Sequence, residues 1–69
     1  MTEHFWPGAD GQPISCREKL RTLAENDAEA RQVLQDAFED AILMGVDEQA
    51  IRESFTAMIA GLRSPKVGI

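Results

Sequence analysis

At 69 residues and 7.6 kDa the chain is one domain at most, and folded alone a chain of this size buries only ~60% of its unfolded surface. Seven basic and twelve acidic residues leave a formal charge of −5, which disfavours nucleic acid and anionic membranes as principal partners because both require a basic face. A single cysteine excludes an intrachain disulfide, and a single histidine remote from it leaves no zinc spacing, so self-association or a partner is the supplement expected of so small a scaffold.

Residues 1–14 hold Phe5, Trp6, Pro7, Gly8, Gly11 and Pro13, which is turn and extended chemistry with no place for a helix. This arm is expected either to fold back so that Phe5 and Trp6 cover apolar surface on the helices, or to serve as a short docking segment anchored by Phe5, Trp6 and Pro7. No basic and apolar leader and no apolar run of ~18 residues occurs, so a cytoplasmic protein is expected.

From Ser15 to Met44 there is neither glycine nor proline, and apolar residues recur at helical spacing: Leu20, Leu23, Ala30, Leu34, Ala37, Ala41 and Met44, with Ala24, Phe38 and Ile42 widening the stripe. Ser15 followed by Glu18 predicts a capping box. Asn26-Asp27 is the weak point. A break there would give a three-helix bundle, whereas the unshifted apolar register predicts one continuous helix over about 15–44.

Gly45 stands where a left-handed residue would close that helix, with Val46 as the apolar residue beyond. Asp47 then caps a second helix, Glu48 complements its dipole, and Val46 facing Ile51 forms a hydrophobic staple. Ile51, Phe55, Met58, Ile59 and Leu62 make its apolar face over about 48–63, and Ser64-Pro65 stops it. The tail 66–69 is expected to fray.

A three-residue connection predicts antiparallel neighbours, giving an all-α helical hairpin over 15–65. Equal rise from the turn sets Asp40 near Arg52, Ala37 near Phe55 and Val33 near Ile59, with Ala37, Ile42, Ile51, Phe55, Ile59 and Leu62 as the hairpin core. The shorter helix leaves Cys16 to about Ala28 uncovered. A second copy completing a homodimeric four-helix bundle through Leu20, Leu23, Leu34 and Phe38 would cover it.

No constellation carries catalysis. Asp36, Glu39, Asp40, Asp47 and Glu48 make the turn end strongly negative, either as a solvated face or as a docking patch for a basic partner; the residues expected to meet a partner are Asp36, Glu39, Asp40 and Glu48, or Phe5 and Trp6. Neither an inward Glu-x-x-His pair nor an EF-hand loop is present, so no metal or cofactor is expected. Cys16, at the first helical position beside Arg17 and Lys19, is the most reactive-looking atom, although a small buried or half-buried hydrophobe is its expected role. Without a resolving cysteine or adjacent base, an enzyme is not expected.

Ala41-x-x-x-Gly45-Val46 followed by Ile51-Arg52 resembles the turn of a helix-turn-helix DNA-binding motif over about twenty residues. The resemblance implies a transcriptional regulator whose second helix enters the major groove. The pattern departs at Asp40 and Ser54, and Asp47 and Glu48 would face phosphates. An acyl-carrier resemblance fails because neither Ser15 nor Ser54 lies in an Asp-Ser-Leu-like context at a helix start. The sequence therefore points first to a small accessory, adaptor or regulatory interaction module, with the DNA-binding regulator and a thiol-based redox or modification site at Cys16 as alternatives.

Overall fold

A computed structural model describes residues 6–66. Among them are two α-helices and no strands: α1 spans Arg17–Leu43 and α2 spans Glu48–Ala60. Two compact units divide the chain, Met1–Leu34 and Gln35–Ile69, and α1 contributes to both.

In the first unit the segment before α1 turns back on itself. Pro7 and Pro13 face one another in an antiparallel bridge, the Ile14 N–H donating to the Trp6 carbonyl at 2.8 Å and the Gly8 N–H to the Gln12 carbonyl. These bonds flank the proline pair, placing it at the non-hydrogen-bonded position of the ladder, where a missing N–H costs nothing. Gly11, at φ +86°, supplies the left-handed residue of the turn, and Asp10 Oδ1 accepts the Gln12 N–H at 3.0 Å. Gly8 is needed for its lack of a side chain, since a Cβ there would lie 2.8 Å from the Gln12 carbonyl oxygen. The arm is thus a tight reverse turn rather than an extended strand. Phe5 lies outside the described residues, as do Val67 to Ile69 of the tail.

The expected start of the long helix shifts by one residue. Arg17 is its first residue, and the Leu20 N–H donates to the Cys16 carbonyl at 2.9 Å, so Cys16 occupies the cap position expected of Ser15. The backbone N–H groups of Lys19 and Glu18 act on its thiol and favour the thiolate, whereas a Ser15–Glu18 box would have engaged that of Glu18 alone of these two. The helix then runs through Asn26-Asp27 without a break. Asp27 takes the Arg31 guanidinium one turn ahead at 2.8 Å, which stabilises helix at that point instead of capping a new one.

In the second unit α1 closes as expected. The Val46 N–H donates to the Ala41 carbonyl at 2.9 Å and the Gly45 N–H to that of Ile42 at 3.0 Å, with Gly45 at φ +95°, a full Schellman motif. Asp47 caps α2 by accepting the Ala50 N–H at 3.0 Å. The far end of α2 comes at Ala60, three residues short of expectation: the Gly61 N–H donates to the carbonyls of Ala57 and Met58, and glycine does not favour a further turn.

Only Ala41, 7% exposed, is buried among the described residues. Phe38, Ile51 and Phe55 are half-buried beside it in the second unit. Of the expected hairpin core, Ile51 and Phe55 are covered in this way, while Ala37, Ile42, Ile59 and Leu62 are exposed. Phe38 meets α2 through Arg52, and Phe38 and Ala41 are the covered residues of α1 in this unit, whereas Ala37 is exposed. Phe38 is rotated by one residue, about 100°, from Ala37.

Candidate functional site

Three regions carry the residues singled out by sequence. The first is the apolar surface of the second unit. Leu43, Met44, Val46, Met58, Ile59 and Leu62 are exposed, with Ile59 at 58% and Leu62 at 75%, and Ile42 stands at the margin. Isolated exposed aliphatics are ordinary on a protein surface; here Met58 and Ile59 in the last turn of α2 and Leu62 just beyond it are exposed close together in sequence. Leu20, Leu23 and Leu34 in the first unit and Phe38 in the second are half-buried, so each keeps area to contribute to a further contact.

The second region is the acidic turn. Glu39 accepts the Gln35 amide at 2.7 Å, Asp47 is occupied as the α2 cap, and Glu48 pairs with Arg52 at 3.1 Å. Arg52 pairs with Glu48 and also lies over the Phe38 ring, whose centroid is 4.7 Å from Cζ. A guanidinium stacked on an aromatic face keeps its charge while covering apolar surface. An aromatic one position from the estimated register was the signal that sequence reasoning could have used. Asp36, Glu39, Asp40 and Glu48 all remain exposed. No group of three or more His, Cys, Asp or Glu side chains that could hold a metal occurs among the described residues. The first turn of α2, where a recognition helix would approach phosphates, carries Glu48 directly after the Asp47 cap.

The third region is the start of α1. Cys16 is exposed, which corrects its reading as a buried hydrophobe: a cap residue lies outside the helix, where nothing packs over it. The backbone N–H groups of Lys19 and then Glu18 hold its pKa below that of a free thiol, and the Lys19 charge adds to the effect. Beside it Ile14, Glu18, Lys19, Thr22 and Leu23 line an open, mainly apolar groove. Trp6 is half-buried.

Among the described residues no helix is long and apolar enough to cross a membrane. No protein-family model, curated protein or solved structure matches the chain significantly.

Proposed function

We propose that this protein is a non-catalytic helical interaction module, acting as an accessory, adaptor or regulatory protein in the cytoplasm, and that it self-associates through its apolar helix faces. The observation that carries the reading is the mismatch in the second unit between well-satisfied backbone and uncovered side chains. Its turn and caps are bonded, yet Met58 and Ile59 in the last turn of α2 and Leu62 two residues beyond its end stand exposed. Burial of apolar area stabilises by roughly 25 cal/mol per Å², so such a surface is a strong driver of association. Asp36, Glu39, Asp40 and Glu48 at the turn are exposed, and their negative charge would discriminate among partners.

Replacing Ile59 and Leu62 together with aspartate tests this. The variant should keep its helical circular dichroism, because both residues are exposed, and elute later than the wild type on a sizing column. Identical elution at every loading would contradict the reading.

A second reading, a modifiable thiol at Cys16, is favoured by that residue's exposure and by its position at the start of α1, where backbone N–H groups lower the thiol's pKa. Its alkylation should reach half its maximal rate at a lower pH than that of a free cysteine, and a midpoint equal to the free thiol's would remove the case.

A further inference from the structure

We infer that the turn joining α1 to α2 docks in the open groove at the start of α1 of a second copy, an acidic tip with apolar side chains entering an apolar cleft among basic residues. The inference rests on the self-association reading and names two surfaces that meet in it. The groove lies wholly in the first unit and the turn wholly in the second, and the contact joins a unit of one copy to a unit of the other.

The groove is lined by Ile14, Glu18, Lys19, Thr22 and Leu23, is mainly apolar and stands open to solvent. Ile14 and Leu23 are only half-buried, so apolar side chains entering the groove would take further apolar area out of water. The same helical turns carry Arg17, Lys19 and Arg21 against Glu18 alone. All three cations are exposed, and none forms an ion pair with another described residue, whereas Arg31 and Arg52 each have a carboxylate one turn away.

The turn is the complementary surface. Leu43, Met44 and Val46 fall within four positions and are 85, 78 and 43% exposed. The bonds from the Gly45 and Val46 N–H groups to the carbonyls of Ile42 and Ala41 hold the backbone beneath them, so docking has little chain to order. Residues 36–48 around these side chains hold five carboxylates and no basic residue.

Charge selects the turn over the other exposed apolar surface of the second unit. Met58, Ile59 and Leu62 are followed by Arg63 and Lys66, the sign that a basic groove repels, whereas the turn carries the sign that it attracts. Both surfaces also hold charges that their own helix ends disfavour. Arg17, Lys19 and Arg21 stand in the first turns of α1, Glu39 and Asp40 stand near its end, and no basic residue lies in its last turn. A second copy supplies each set with charges of the opposite sign, which makes the chain its own fitting partner.

Two variants test the proposal, one carrying K19E and R21E at the groove, the other L43S and M44S at the turn. The four residues are exposed, and the charge reversal favours the start of α1, so both should keep their helical circular dichroism. Each alone should self-associate at least tenfold more weakly than wild type by sedimentation. Mixed, they should bind one another several-fold more tightly than either binds itself, because the intact groove of the turn variant takes the intact turn of the groove variant. A surface that met its own copy would show no such rescue.

An independent readout uses the exposed thiol, two residues from the groove-lining Ile14 and Glu18. A photo-activated cross-linker on Cys16 should attach to residues 39–48 of a second copy, with mixed isotope-labelled and unlabelled chains separating adducts between chains from those within one. Adducts confined to one chain or to residues 58–62, or self-association indifferent to both variants, would overturn the docking and leave the interaction module standing. Single-chain mass at every concentration would remove both.

Discussion

The two units reverse the chain by the same device and differ in what they cover. Gly11 at φ +86° and Gly45 at φ +95° both supply the left-handed residue of a bonded turn. In the first unit Ile14, Leu20, Leu23 and Leu34 are at least half-covered and Val33 is the one exposed large aliphatic among the described residues. In the second, seven large apolar residues from Ile42 to Leu62 are exposed around a single buried alanine. Local backbone chemistry thus fixes the path of the chain in both, whereas covering side chains requires a second surface, and thirteen residues of α2 do not supply enough of one. The first unit offers a basic helix start, and the second offers acidic and apolar surface.

The largest effect that would sharpen this contrast is at Phe55, half-buried in the sparse core of the second unit. Phe55→Ala should destabilise by about 2 kcal/mol, less than for a fully buried ring, measured by urea denaturation at fixed protein concentration because association contributes to stability. A negligible loss would mean that the second unit has no core of its own. Gly45→Ala comes next. Forcing an alanine to positive φ should cost ~1–2 kcal/mol, and an unchanged denaturation midpoint would show that the Schellman turn does not hold the hairpin. Asp47→Ala, which removes the α2 cap, should cost about 1 kcal/mol, with the loss confined to amide exchange protection in α2 if the units respond separately.

At the smallest end, Cys16→Ala should show a pH-dependent cost. The folded state lowers the thiol's pKa, so the cap's contribution is present above the unfolded thiol's pKa and is lost as pH falls through the folded value. The stability difference between wild type and variant should therefore narrow on acidification. A difference independent of pH would show that the thiolate is not the capping species.

Features bonded between near neighbours in sequence were legible before the structure. Gly45 with Val46 and Asp47 with Ala50 need only residues a few positions apart, and the unbroken apolar register carried α1 through Asn26-Asp27. Rotational facts were less legible. Ala37 and Phe38 differ by about 100° around α1, and nothing local decides which of them meets α2. The start of α1 was misplaced by one residue because serine is the commoner cap, whereas here the neighbouring thiol faces the first-turn donors of Lys19 and Glu18. The reverse turn at Trp6–Ile14 was visible as turn chemistry, but the pairing of Pro7 with Pro13 depends on registering two segments that carry no periodic signal. The exposure of Ile59 and Leu62 was hidden from a reading that gave every apolar position of α2 to the chain's own core.

The most direct test of the interaction module is the absolute mass of the intact chain by light scattering on a sizing column over a wide concentration range. The account predicts twice the 7.6 kDa chain mass at high concentration, falling toward the single-chain value on dilution. A mass of 7.6 kDa at every concentration would contradict self-association.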